Sequence, residues 1–135
     1  MRQLLNRTAA IAARYLETLD QRGVAATSEA LAGLAELDQP LQDDPQEPAD
    51  VLEMLDRIGS PATTAVSGRR FFGFVTGGSL PATLAANWLA GAWDQCPGIF
   101  AASPIGATLE EVSMRWLLDV LHLPAESGAA FVTGA

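Results

Sequence analysis

The chain has 135 residues, 49% of them hydrophobic and 18% charged, which is length for one domain and too apolar for a disordered tail. Sixteen acids against eight bases leave a net charge of −8. A surface of that sign repels phosphate backbones and anionic lipid, so neither a nucleic acid nor a membrane is an expected partner.

The first segment places Leu4, Leu5, Ile11, Ala12, Tyr15, Leu16 and Leu19 on one stripe at helical spacing and meets Gly23. This predicts an amphipathic helix whose stripe must lie on something, another subunit included. Asn6, Arg7, Arg14 and Glu17 interrupt it too soon for the apolar core of a signal peptide. A short second helix is expected from Thr27 or Ser28 through Leu31, Leu34 and Leu37. Residues 38–48 carry three prolines and four acids and read as a loop. Pro48 suits the first position of a third helix bearing Val51, Leu52, Leu55 and Ile58, with Gly59-Ser60-Pro61 as its stop.

Residues 61–79 hold few helix signals; Gly68, Gly73, Gly77 and Gly78 punctuate a run containing Phe71, Phe72 and Phe74. Ser79 is read as the cap of a helix with Pro81 near its start and Leu84, Trp88, Leu89 and Ala92 on one side. This most apolar stretch, Leu80 to Trp93, is too short to span a bilayer and contains Asn87. Ser103-Pro104 repeats the signal for a helix with Leu109, Val112, Trp116, Leu117 and Val120 inward, Glu110 and Glu111 near its positive end and His122 near its negative end. Ala129 to Thr133 is expected to be a strand running into a turn at Gly134. The fold class is therefore mainly α with a terminal β-strand.

The base count carries a chemical consequence. All eight bases are arginine and no lysine is present, so this chain cannot form a Schiff base through a side-chain amine. The single cysteine, Cys96, rules out an internal disulfide, and no basic residue beside it marks an activated thiol. A cytoplasmic location is the default expectation. No metal site is read from the sequence. Trp88, Trp93 and Trp116 are expected to pack, His122 to serve as a helix-end cation, and Asp94 as a helix-terminal or surface acid.

The stretch Arg70-Phe71-Phe72-Gly73-Phe74-Val75-Thr76-Gly77-Gly78-Ser79-Leu80-Pro81 resembles the start of the conserved part of the group II pyridoxal-phosphate-dependent amino-acid decarboxylases, the aromatic-amino-acid and glutamate decarboxylase type. Ala101-Ala102-Ser103-Pro104, Leu109-Glu110-Glu111-Val112 and Trp116-Leu117-Leu118 follow in the family's order, and Phe131-Val132-Thr133-Gly134-Ala135 is similar to its strand into the phosphate-binding turn. The likeness covers residues 57–135; residues 1–56 match only as an N-terminal helical extension. Where many relatives carry His-Pro before the paired phenylalanines, this chain has Gly68-Arg69-Arg70.

The resemblance implies a parent with the α/β aminotransferase-like (fold type I) architecture that works as a homodimer, decarboxylates an L-amino acid and uses pyridoxal 5'-phosphate as electron sink. It divides the chain into a dimer-wrapping extension (1–60) and the truncated start of the cofactor-binding large domain (61–135). It implies that Phe74, Val75 and Thr76 line the substrate pocket and that Ser103 and Pro104 lie at the dimer interface near the site. Gly134 and Ala135 would begin the phosphate turn, where backbone N–H groups and a helix dipole receive an anion. The family's lysine, acid and histidine lie downstream of that turn, so no catalytic residue is assigned and the chain alone is expected to be inactive. Two alternatives stand beside this reading: a stand-alone helical dimerisation module, and another activity of the same cofactor fold.

Overall fold

The structure is a computed structural model, and it describes residues 1–132. It is mainly helical, and no strand occurs among the described residues. Ala129–Val132, the described part of the strand expected over Ala129 to Thr133, follow no regular hydrogen-bonding pattern, and Thr133 lies outside the described residues. The physical reason is simple: a strand exists through its ladder, and no second strand is described to pair with it. Two compact units divide the chain, residues 1–79 and a unit beginning at Leu80.

In the first unit, α1 (Arg2–Glu17) is followed by a 3-10 turn at Leu19–Gln21. The stripe lies where the periodicity put it: Leu4, Ile11, Ala12, Tyr15 and Leu16 are half-buried and Leu19 is buried, while Leu5 faces out. Helix α2 (Ser28–Gly33) starts because Thr27 accepts the Ala30 N–H at 3.1 Å, and a 3-10 turn continues it over Leu34–Leu37. The loop beyond is exposed throughout.

Helix α3 (Pro48–Met54) begins at its proline as expected. It does not stop at Gly59. The backbone widens into a π turn at Leu55–Gly59 and runs on as α4 (Ser60–Ala62). Pro61 would remove one helical hydrogen bond and press its ring on the carbonyl four residues back. A π turn just before it opens the space that a regular α-helix lacks. Arg7 pairs with Glu53, Arg14 with Asp56, and Tyr15 Oη lies 2.7 Å from Thr63 Oγ1. These pairs ascend together, so α1 runs alongside α3 and α4 in the same direction.

In the second unit, α5 (Pro81–Trp93) and α6 (Pro104–Val120) both open on proline. Leu80, not Ser79, holds the cap position of α5. Leucine has no side-chain acceptor, so Thr83 supplies the tie instead: its Oγ1 accepts the Leu80 N–H at 3.2 Å and donates to the Leu80 carbonyl at 2.9 Å. Ser79 reaches Ser67 Oγ at 3.4 Å.

Helix α6 ends in a Schellman turn. Leu123 N–H donates to the Leu118 carbonyl at 2.9 Å and His122 N–H to the Asp119 carbonyl at 3.0 Å, with His122 left-handed at φ 54°. Glu110 and Glu111 fall beyond the first turn of α6, outside the reach of its positive end.

Burial differs sharply from expectation in this unit. Trp88, Trp93 and Trp116 are exposed, as are Leu109, Leu117 and Val120 on the expected inner face of α6; Leu118 is the buried one. Much apolar side chain along α5 and α6 therefore meets water.

No helix of the structure is long and apolar enough to cross a membrane, and no cluster of three potential metal ligands occurs among the described residues.

Candidate functional site

The chemistry-bearing stretch of the first unit is the glycine-punctuated run after α4. Its root is pinned: the Ala65 N–H donates to the Val24 carbonyl at 2.9 Å, and Ala65 is buried. Gly68 N–H then bonds the Ala65 carbonyl at 3.0 Å and Phe71 N–H the Gly68 carbonyl at 3.1 Å, two successive tight turns. Phe71 is half-buried, with its ring centroid 6.0 Å from that of Phe74 at an interplanar angle of 40°. Gly73 is needed beneath it, since a Cβ there would stand 3.2 Å from the Phe71 ring.

Past this point the chain turns through two consecutive left-handed residues, Phe74 at φ 57° and Val75 at φ 51°. For a β-branched residue such as Val75 this is a rare conformation, costing on the order of 1 kcal/mol or more. The two side chains are 88% and 105% exposed, and Thr76 is exposed too. Nothing within the unit covers them. Strained, outward-facing residues on a short turn are a common form for a contact surface to take.

In the second unit Ser103 is the one fully buried polar residue among those described. Its Oγ accepts the Gly106 N–H at 3.2 Å and so caps α6, while its own N–H donates to the Ile99 carbonyl at 3.1 Å. Pro104 follows at the first helical position and is exposed. The cap is tight: a Cβ on Gly106 would meet Ser103 Oγ at 2.9 Å and Pro97 Cβ at 3.1 Å. Asp94 closes α5 in a left-handed conformation, φ 48°. Gly134 and Ala135, the expected start of a phosphate turn, lie outside the described residues.

Over 94 residues the chain is 39% identical to the aromatic-L-amino-acid decarboxylase of Sus scrofa. The matched region takes in 67% of this chain and 18% of that relative, so the chain spans less than a fifth of its length. No protein-family model matches the chain.

Pyridoxal phosphate asks for an amine to bind its aldehyde, clustered donors for its phosphate and an acid for its ring nitrogen. The chain holds no lysine. Among the described residues no buried side-chain polar atom is left unpartnered to receive a ligand, and Asp94 and His122 are exposed residues at helix ends. These residues by themselves do not fit the cofactor.

A feature that periodicity and motif spacing do not mark joins the glycine-punctuated run to the turn after α1. Arg69 and Arg70 reach back about fifty positions to the turn after α1. Arg69 Nε donates to Asp20 Oδ1 at 3.0 Å, and its terminal nitrogen lies 2.8 Å from Asp20 Oδ2. Arg70 donates to the Asp20 carbonyl at 3.2 Å and to the Arg22 carbonyl. Arg22 in turn lies 4.6 Å from the centre of the Tyr15 ring and donates to the Ser60 carbonyl. The available signal was an adjacent pair of arginines after a glycine, with no partner marked by spacing.

Proposed function

We propose that this chain is the N-terminal part of a pyridoxal-phosphate-dependent carboxy-lyase that removes carbon dioxide from an L-amino acid, and that the chain alone is inactive. The observation that carries this reading is the 39% identity over 94 residues to an aromatic-L-amino-acid decarboxylase. The ordered Phe-Phe-Gly, Ser-Pro and Leu-Glu-Glu signatures support it, and so does the apolar surface of the second unit, which asks for a cover that the unit lacks.

In this reading residues 1–60 form the dimer-wrapping extension and residues 61–135 open the large domain of a cytoplasmic homodimer. Phe74, Val75 and Thr76 line the pocket for the substrate side chain, and their exposure leaves them free to do so. Ser103, buried within this chain, holds the start of α6 in place through the Gly106 bond, and the exposed Pro104 beside it sits at the subunit interface. Gly134 and Ala135 open the phosphate turn. The cofactor, when bound in the whole enzyme, supplies the electron sink for decarboxylation. The amine that holds it is supplied by sequence outside this chain.

A chimera tests this. The Sus scrofa decarboxylase carrying this chain in place of its matching segment is expected to bind cofactor and release carbon dioxide from an amino acid. A chimera that folds, loads cofactor and releases none would contradict the reading.

A stand-alone helical module has one observation in its favour, the separate compactness of residues 1–79. Its mark would be a cooperative thermal transition of the isolated chain with no dependence on a larger protein.

A further inference from the structure

We propose that Arg69 and Arg70 are positioning residues: together they latch the root of the Phe71–Thr76 segment onto the turn that ends α1 and so fix where that segment is presented. This rests on the reading of Phe74–Thr76 as a substrate-facing strip, which it deepens by naming what holds the strip in place.

The last carbonyls of a helix have no amide partner further along it and carry the negative end of its dipole. In the turn after α1 the Thr18 and Leu19 carbonyls are taken by the Gln21 and Arg22 N–H groups, while those of Asp20 and Arg22 face a side-chain donor. A guanidinium offers several donors in one rigid plane and can satisfy two such carbonyls together. Arg70 does this at Asp20 and Arg22. Arg69, beside it, takes both oxygens of the Asp20 carboxylate. One short turn is thus held through its backbone and its side chain by two consecutive residues of another segment.

An isolated surface ion pair is worth little. Here four contacts converge within three residues, and the same turn is tied to α4 by Arg22 through the Ser60 carbonyl and to α1 by its position over Tyr15. The next residue after the latch is Phe71, whose ring meets Phe74. Beyond Phe71 every residue to Ser79 is exposed. The latch is therefore the last firm attachment before the strained Phe74–Val75 turn, and the direction in which that turn leaves the unit is set there.

The test reads amide hydrogen exchange in the 135-residue chain at Phe71 and Gly68, with the amides of Ile11 and Ala12 in α1 as internal control. Arg70→Ala is expected to speed exchange at Phe71 by about tenfold while the α1 amides stay as they were, because only the local opening changes. Arg69→Asp is expected to act likewise, and adding Asp20→Arg to it to recover most of the protection. Unchanged exchange at Phe71, equal loss in α1, or no recovery in the exchanged-charge pair would overturn the latch. In the chimera, Arg70→Ala is expected to raise KM roughly fivefold with kcat little altered, as loss of substrate positioning does. Faster exchange with KM unmoved would leave the latch standing and overturn the pocket reading of Phe74–Thr76.

Discussion

The two units of this chain are held by different means. In residues 1–79, α1 and the α3–α4 segment lie alongside each other, tied by Arg7–Glu53, Arg14–Asp56 and the Tyr15–Thr63 contact, with Leu19, Ile58 and Ala65 buried. In the unit from Leu80, Leu118 is the one buried apolar side chain among the described residues, and Trp116 is 68% exposed. The first unit covers much of its own stripe. The second carries its apolar residues on surfaces that its own elements leave open. The lesson is that apolar content alone does not make a core: Leu109, Trp116, Leu117 and Val120 are as apolar as the first unit's stripe, and what they lack is a neighbour.

Substitutions can break or sharpen that contrast. The largest effect is expected for Ile58→Ala, which removes buried methyl groups from the unit that has a core. It should cost about 2–4 kcal/mol in urea unfolding. A loss below 1 kcal/mol would mean that the first unit is no better packed than the second. Ser103→Ala removes the cap of α6 and should cost about 1 kcal/mol, seen as lost helical circular dichroism on heating. That loss should leave the unfolding of residues 1–79 untouched, because the cap belongs to the other unit.

Two glycine substitutions should act in the opposite sense. His122→Gly and Val75→Gly each relieve a left-handed residue and should raise stability by about 0.5–1 kcal/mol. For Val75→Gly the gain in stability should come with weaker substrate selection in the chimera, since the side chain presented there is lost. The smallest effect is expected for Arg7→Ala. A half-exposed ion pair with Glu53 contributes within about 0.5 kcal/mol. A larger loss would show that the polar seam, and not the buried apolar residues, holds the first unit.

Much of the helical layout could be read from local chemistry. Pro48, Pro81 and Pro104 each stand at a first helical position, and Thr27 and Ser103 accept the backbone N–H three residues on. These signals work because a helix start needs a residue with no N–H to lose or a side chain that satisfies one. What local chemistry does not encode is what lies opposite. Pro61 reads as a stop until a π turn makes room for it. Ser79 reads as a cap until Thr83 takes that work. The stripe on α6 reads as inward, yet inwardness needs a second surface.

The candidate site divides in the same way. Ser103 was legible as a cap because its bond is three residues long. The exposure of Phe74 and Val75, and their left-handed backbone, could not be inferred from a glycine-rich run. The contacts of Arg69 and Arg70 with residues 20 and 22 span about fifty positions and leave no periodic trace.

This chain is proposed to be the front of a larger decarboxylase whose cofactor-holding amine is encoded elsewhere in the same protein. Reading the gene onward from the codon for Ala135 tests that most directly. The expected result is a threonine or serine soon after Ala135, completing a phosphate turn, and a lysine much further along. A stop codon at that point, or a long downstream sequence with no lysine in such a setting, would contradict it.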